Sequence, residues 1–445
     1  MKLSSRIFVF LLLAAMTLLI GSFAAAQDDL PDMGVALNSE VSGNVEFWHH
    51  WGSPVRRNAI RRVVAMCQQA LPNITVEEVF KPFGEGWTAN IAAVAAGTGM
   101  PDVIVSDRLQ LPREASDGIY ENLQPRIDAD GFDTSDFYPF TWEQTLLDGN
   151  SYGIPQETDV RVLFYNKTLF QEAGLDPNDP PETWEELLAY ADALDVIAED
   201  GTIERIGFFP LINVGPDIWA LANGQSFVQD GNPMVNTPEF AETVEWVRSW
   251  VDRYGGWDRV QEFRATLGAP PNDAFMSGRV AMVADIAGYL SQLNFYRPRT
   301  TLADGSSVNT DIGVAPLPYN TSPASWSGGF SFSIPTGAEN PDAAWEFIKC
   351  ATGPVAQSSW ARDTYAIPSR MSAANDPVLM ADPNWQFFVQ SMDISTSSEF
   401  VPAYPNYMEQ FNQRAEQIYR GEIPVEQALT EAQAAIDETV AANAP

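Results

Sequence analysis

Carboxylates beside predicted strands are the side chains of this chain best suited to bind a small polar molecule. Asp107 follows a near-continuous apolar strand, and Glu157 and Asp159 stand at the start of residues 160–165, whose alternation predicts a second strand. Clefts in α/β proteins form at the carboxyl ends of parallel strands, so we expect Asp107 to lie in one. Carboxylates in a cleft accept hydrogen bonds from ligand hydroxyl groups. Two alternatives stay open, in which Asp107 caps the segment that follows it or Asp159 pairs with Arg161.

Tryptophan is the second kind of candidate side chain, and the chain has 13 of them. A pyranose has a rim of hydroxyl groups and two apolar faces, so carboxylates suit the rim and flat aromatic rings suit the faces. Packing in the core is the alternative for each ring. The candidates near predicted strand ends or helix starts are Trp48, Trp51, Trp87, Trp326 and Trp360, with Trp326 preferred.

The histidines and cysteines do not predict a metal site. His49 and His50 are adjacent on an extended segment and therefore point to opposite sides, so they do not form a two-histidine clamp. One of them, assigned here as His49, is expected to line the cleft. Cys67 and Cys350 fall on predicted helices without metal-ligand spacing, and both free buried thiols and one disulfide fit the sequence. We expect no metal and no cofactor.

The first 26 residues have the layout of a secretory signal peptide. Lys2 and Arg6 precede an uncharged apolar stretch over residues 7–20, and small residues ending at Ala26 follow. Cleavage near Ala26 is expected, with retention as an anchor as the alternative. No second hydrophobic span follows, so the expected location is the periplasm or the cell exterior.

The net charge of the chain limits the kinds of partner that it can bind. The formal net charge is −34, and loss of Lys2 and Arg6 would leave 23 basic residues against 59 acidic ones. This balance argues against nucleic acid and anionic lipid as partners. The remaining chain of about 420 residues is longer than a single hydrophobic core usually accommodates, so its length predicts two domains.

Alternating strand and helix signals predict an α/β protein. After a flexible leader over residues 27–44, strands at residues 45–48, 74–80 and 103–105 are separated by helices at residues 54–71 and 87–96. This β-α-β-α-β series is typical of a mostly parallel sheet covered by helices.

Several segments resemble, in order, those of bacterial extracellular solute-binding proteins that feed ABC importers. Residues 152–175 resemble an inter-lobe crossover of that family, and residues 275–282 resemble its F-x-x-G-x-x-A-M element. Residues 326–337, 365–370 and 45–51 resemble its Gly-Gly strand and turn, its last crossover and its opening strand. The match is to the sugar-binding members, with maltose-binding protein as a distant relative.

The resemblance implies a two-lobed periplasmic-binding-protein fold, type II-like, with a hinge and an inter-lobe cleft. Crossovers are expected near residues 155–161, 313–318 and 365–369. The first lobe would then comprise residues 45–156 plus 317–366, and the second residues 157–316 plus 367–445.

The resemblance also adds site residues at positions that match the family's segments. Asp285 and Tyr289 follow the F-x-x-G-x-x-A-M element, Gly328 and Gly329 form the Gly-Gly pair, and Tyr365 lies in the last crossover. The complete predicted ligand-binding set is Trp48, His49, Trp51, Trp87, Asp107, Glu157, Asp159, Asp285, Tyr289, Trp326, Gly328, Gly329, Trp360 and Tyr365.

The functional hypothesis is a monomeric exported receptor that captures a mono- or oligosaccharide, closes around it and delivers it to the membrane permease subunits of an ABC importer. No reaction on the ligand is expected. Alternatives within the fold are a glycerol-phosphate-type ester, which needs convergent basic donors, and a polyamine, which suits acids with aromatic rings. A secreted glycoside hydrolase is the alternative of another class and needs two carboxylates across the scissile bond.

Overall fold

The protein is described by a computed structural model that covers residues 30–397, 401, 404 and 406–442. The predicted signal peptide and its cleavage site lie outside these residues. Within the covered ranges, no helix combines the length and apolar character that crossing a bilayer requires.

Strands and helices alternate along most of the described chain. Strands occupy Gly43–His49, Ile74–Phe80, Val103–Asp107, Leu146–Leu147, Asn150–Ser151, Ile154–Thr158, Arg161–Asn166, Val196–Ile197, Ile203–Arg205, Val228–Gln229, Asn232–Pro233, Met282–Ile286, Arg299–Thr301, Ser307–Asn309, Ile312–Ala315, Ser325–Trp326, Gly329–Ser333, Ile367–Pro368 and Ser395–Thr396. Helices occupy Pro54–Ala70, Glu85–Ala96, Leu111–Ser116, Gln124–Asp130, Pro139–Glu143, Lys167–Glu172, Trp184–Leu194, Pro216–Ala222, Pro238–Arg253, Trp257–Ala265, Tyr289–Tyr296, Pro341–Ala351, Pro354–Thr364, Met371–Ala374, Pro383–Ser391, Met408–Tyr419 and Val425–Ala442, with 3₁₀ turns at Leu379–Ala381 and Met392–Ile394.

Helix starts follow the capping signals of the sequence. The Ser53 side chain accepts a hydrogen bond from the backbone N–H of Arg56, just before the helix Pro54–Ala70. Thr183 and Glu186 form a reciprocal capping box before Trp184–Leu194. These caps determine where the helices begin, and the spacing of the apolar residues determines which face packs on the core.

Six strands form the large sheet, in the order Ile367–Pro368, Ile154–Thr158, Gly329–Ser333, Val103–Asp107, Gly43–His49, Ile74–Phe80. Gly43–His49 runs parallel to both Ile74–Phe80 and Val103–Asp107. The late strand Gly329–Ser333 pairs antiparallel with both of its neighbours. The first core, around Phe47, Phe332 and Phe347, packs against this sheet.

Three strands form the small sheet. Arg161–Asn166 is central and pairs antiparallel with Met282–Ile286 and Ile312–Ala315. A second, larger core packs around it and includes Phe164, Trp219 and Trp250, each buried. Each sheet therefore has its own hydrophobic core.

The chain passes from the large sheet to the small one within a very short segment. Ile154–Thr158 belongs to the large sheet and Arg161–Asn166 to the small one, so Asp159 and Val160 alone connect them. It returns to the large sheet at Gly329–Ser333, and Ile367–Pro368 then pairs beside Thr158. The sequence-predicted lobe boundaries stay predictions.

Two features refine the sequence analysis. Cys67 and Cys350 form a disulfide, with sulfur atoms 2.09 Å apart, that links the helices Pro54–Ala70 and Pro341–Ala351.

The segment from Met33 differs from the flexible leader predicted for residues 27–44. Met33 is buried in the first core, and the Asn38 N–H donates to a Glu346 carboxylate oxygen at 2.8 Å, so apolar packing and a hydrogen bond hold this segment.

Candidate functional site

Asp159 and Arg161 lie at the short crossover between the two sheets. The Arg161 guanidinium forms an ion pair with the Asp159 carboxylate, which also accepts a hydrogen bond from the Gly328 N–H at 3.2 Å. Arg161 also lies over the indole of Trp326, with its guanidinium carbon 4.7 Å from the ring centroid. The pairing that the sequence left open is thus present, and it brings Asp159 close to Trp326.

A cavity of about 320 Å³ lies beside Trp326. Asp217, in the first turn of the helix Pro216–Ala222, contributes a carboxylate to the cavity wall, and Gln225 contributes an amide. The lining residues are Asp217, Leu221, Gly224, Gln225, Ser226, Phe227, Val228, Ala324, Trp326, Thr396, Ser397, Tyr407 and Met408. This described wall contains aromatic rings and hydrogen-bonding groups, one carboxylate and no basic side chain.

Partly buried acids surround the crossover. Burial raises the pKa of the Asp107, Asp217 and Asp285 carboxyl groups, and for Asp285 to about 6. The positive charge of Arg161 lowers the pKa of both Asp217 and Asp285 and so opposes the effect of burial. One guanidinium therefore interacts with several carboxyl groups. Asp285 also accepts a hydrogen bond from the Asn213 amide at 2.9 Å.

Asp285→Asn is expected to change how stability depends on pH. Because the pKa of Asp285 is raised by folding, its stabilising contribution is present below its unfolded pKa of about 3.9 and is lost as pH rises through about 6. The free energy of unfolding of the wild type should therefore fall, relative to the variant, by about 1–3 kcal/mol between pH 4 and pH 7. Urea unfolding at a series of pH values measures this difference, and parallel curves for the two proteins would contradict the prediction.

Arg108 is a buried charge that the sequence analysis did not single out. Its guanidinium donates to the backbone carbonyls of Glu157, Gly328 and Phe330, and its Nε–H donates to the Gln144 side chain at 3.1 Å. Burial lowers its pKa to about 10, so it remains protonated at neutral pH. Its position directly after Asp107 was the only signal for it in the sequence. Arg108 ties together the two strands that carry Glu157 and Phe330.

Glu157, Trp51 and Trp360 form a buried group inside the first core. Their exposed fractions are 3%, 1% and 0%, and the Trp360 indole N–H donates to the Glu157 carboxylate at 2.5 Å. Burial raises the pKa of Glu157, while the charge of Arg56 and the hydrogen bond from the Trp360 indole lower it. These three predicted site residues pack in the core of the large-sheet half and do not line the cavity.

A second aromatic group, named here the aromatic platform, comprises His50, Phe83, Trp87 and Phe330. The His50 ring lies 4.4 Å from Phe330 and 5.2 Å from Phe83, and Phe83 lies 4.9 Å from Trp87. The Trp87 indole N–H donates to the Val105 carbonyl at 2.7 Å, which anchors the platform to the large sheet. Phe83 is 66% exposed.

Other predicted site residues lie elsewhere. Trp48 and His49 are buried in the large-sheet half, where the Lys81 ammonium lies 4.3 Å from the Trp48 ring centroid. The Tyr289 hydroxyl donates to Asp273 at 2.8 Å within the second core, and the Tyr365 hydroxyl donates to Asp382 at 2.6 Å. The structure does not bring these four side chains together with Trp326.

The Gly328-Gly329 pair is required by close contacts. Gly329 has a φ of +136°, and a Cβ added there would lie 2.2 Å from the Glu157 carbonyl oxygen. A Cβ on Gly328 would lie 2.7 Å from the Trp326 ring. Any larger residue would displace either the crossover strand or the indole.

Among the described residues, no three His, Cys, Asp or Glu side chains are placed to hold a metal ion.

Comparison with known sequences identifies the family. The family model described as bacterial extracellular solute-binding protein matches residues 62–387. The chain belongs to this family. It is also similar to the sn-glycerol-3-phosphate-binding periplasmic protein UgpB of Salmonella paratyphi A, with 28% identity over 176 residues, or 36% of this chain. The chain spans only 39% of the length of that relative.

Solved structures confirm the predicted fold of this solute-binding protein. The mannotriose-bound form of CpMnBP1 is 28% identical, with a TM-score of 0.77 over 88% of this chain and 99% of that one. The GacH receptor of Streptomyces glaucescens is 22% identical, with a TM-score of 0.73 over 90% of this chain and 99% of that one. The α/β, two-lobed periplasmic-binding-protein fold is therefore confirmed.

Proposed function

We propose that the protein captures a carbohydrate in the cavity beside Trp326 and delivers it to the permease subunits of an ABC importer. The observation that carries the proposal is the cavity itself, which joins the Trp326 indole to the Asp217 carboxylate. An indole packs on the apolar face of a sugar, while carboxylate and amide groups bind the hydroxyl rim. The likeness to CpMnBP1, whose structure contains mannotriose, supports the same ligand class.

A glycerol-phosphate ester is the second candidate, because UgpB relatives match part of the chain. A phosphate needs convergent basic or backbone donors. The described cavity wall offers no basic side chain, and Arg161 is already paired with Asp159 and stacked on Trp326. The acidic surroundings disfavour an anion, so the carbohydrate is preferred.

The protein acts in this proposal as an exported, monomeric receptor and not as an enzyme. Members of the family are solute-binding proteins, and export with removal of residues 1–26 agrees with that role. In this proposal each lobe is built on one of the two sheets, with Ile154–Thr158 in the first lobe and Arg161–Asn166 in the second. Closure of the cleft bends the crossover at Asp159 and Val160, because no other residues separate the two sheets there.

Trp326→Ala is expected to weaken carbohydrate binding by at least about tenfold, because it removes the ring on which the sugar packs. Isothermal titration calorimetry with mannotriose, maltotriose, glycerol 3-phosphate and spermidine measures both the ligand class and the loss. Trp142→Ala is the matched control, since Trp142 is a half-buried indole that stacks on Phe137 outside the cavity. Binding of glycerol 3-phosphate or spermidine alone would change the ligand class, and turnover of a saccharide would contradict the receptor function.

A further inference from the structure

One hydrogen bond joins the two halves of the molecule outside the crossover at Asp159 and Val160. The side-chain N–H of Gln110 donates to the side-chain oxygen of Asn406 at 3.1 Å, and the two residues are 296 positions apart in the sequence. Both side chains are amides, so neither brings a charge to the contact. This pair, Gln110 and Asn406, is named here the amide bridge.

Gln110 belongs to the large-sheet half. Its backbone N–H donates to the Asp107 carbonyl at 3.1 Å, at the carboxyl end of the strand Val103–Asp107. The next residue, Leu111, begins the helix Leu111–Ser116 and is fully buried. The turn and the buried leucine fix the backbone of Gln110 to the large sheet, so Gln110 moves with that sheet.

Asn406 belongs to the half built on the small sheet. Tyr407, directly after it, is 6% exposed and packs in the second core. Tyr407 and Met408 also line the cavity beside Trp326, and Met408 begins the helix Met408–Tyr419. Asn406 is therefore placed at the rim of the cavity by residues of the second core.

The cavity thus has a connection between the halves on two of its walls. Trp326, which stacks on Arg161 next to the crossover, forms one wall, and Tyr407 beside the amide bridge forms another. Separation of the halves about the crossover moves Gln110 away from Asn406 and breaks the hydrogen bond. Opening the cavity for release of a ligand therefore requires the amide bridge to break.

We infer that the amide bridge holds the cleft closed over a ligand in the cavity beside Trp326 and so determines how slowly that ligand dissociates. The inference rests on the proposed function. A neutral hydrogen bond of this kind changes an equilibrium or a rate by about twofold to tenfold. Because the bond forms after the ligand has entered, its loss changes the dissociation rate and leaves the association rate.

Gln110→Ala is expected to speed the dissociation of mannotriose or maltotriose about threefold to tenfold and to leave association within about twofold. Stopped-flow tryptophan fluorescence measures both rates, since Trp326 lines the cavity. Gln124→Ala is the matched control and should change neither rate, because Gln124 is also half-buried but donates to Asp128 at 2.8 Å within its own helix. Asn406→Ala should match Gln110→Ala, and the double variant should be no faster than either single one.

A cross-link tests the geometry of the same pair directly. In Gln110→Cys/Asn406→Cys, a short bismaleimide should join the two new thiols, while the native disulfide keeps Cys67 and Cys350 from reacting. Protein that is cross-linked before the sugar is added should not bind it, and protein that is loaded first should retain the sugar through gel filtration. The control pair Gln427→Cys/Glu431→Cys should do neither, because Gln427 donates to Glu431 within one helix.

The outcomes separate the inference from the proposed function. If no saccharide binds the wild type, the proposed function fails and the inference fails with it. If a saccharide binds but Gln110→Ala releases it no faster, or if the thiols do not cross-link with or without sugar, the inference alone is overturned. Additive effects of Gln110→Ala and Asn406→Ala would overturn it too, since they would show that the two amides act independently. A circular dichroism melt verifies that each variant is folded.

Discussion

Arg108→Met is expected to lower the free energy of unfolding by about 3–5 kcal/mol. The Arg108 side chain is 1% exposed and donates to backbone carbonyls of Glu157 and Phe330 on two strands and of Gly328 beside them. Its charge also offsets those of Asp159, Asp107 and Glu157. Met fills a similar volume but leaves the carbonyls without donors and the carboxylates without a counter-charge. Urea unfolding of the purified protein measures the loss.

Arg113→Met is the control for Arg108→Met. Arg113 lies five residues further on, is about half exposed, and pairs with Asp117 at 3.3 Å. Such surface pairs contribute at most about 1 kcal/mol, so the control should stay close to the wild type. A loss of stability no greater in Arg108→Met than in Arg113→Met would show that the strands do not depend on this guanidinium.

Removal of the disulfide is the second change with a large expected effect. Cys67 and Cys350 are 283 residues apart in sequence, and their bond joins two helices of the large-sheet half. Cross-linking so distant a pair restricts the unfolded chain strongly. The double variant Cys67→Ala/Cys350→Ala is expected to lose about 2–5 kcal/mol of unfolding free energy.

Reduction of the wild type separates the cross-link from the packing of the two side chains. The reduced wild type keeps both sulfur atoms but loses the bond, so it should unfold at a urea concentration between those of the oxidised protein and the double variant. Because the double variant lacks the thiols, added reductant should not change its unfolding. Identical unfolding of oxidised and reduced wild type, with thiol titration confirming reduction, would contradict the prediction.

The sequence predicted the α/β class because its signals are local. Capping residues such as Ser53 and Thr183, together with alternating apolar residues in Arg161–Asn166, determine element type over a few positions. The pairing of Cys67 with Cys350 is not local, and the sequence left it open for that reason.

The candidate site was only partly predictable because side-chain direction depends on tertiary packing. Trp326 and Trp360 both lie near predicted element ends, yet Trp326 lines the cavity and Trp360 turns inward to Glu157. Asp217 has no strand-end signal, since it lies in the first turn of a helix whose position beside Trp326 depends on the whole second core. Burial of the Arg108 charge depends on three backbone carbonyls that come from parts of the chain distant in sequence. No local sequence pattern predicts that these carbonyls meet.

The strand order of the large sheet has a consequence for synthesis. Gly329–Ser333 lies between Val103–Asp107 and Ile154–Thr158, so a gap separates those two strands until the ribosome has made residue 333. The small sheet needs no residue beyond Ala315. Pairings between distant segments form slowly, since the intervening chain must first be closed into a loop. The sheet that translation begins first is therefore the sheet that it completes last.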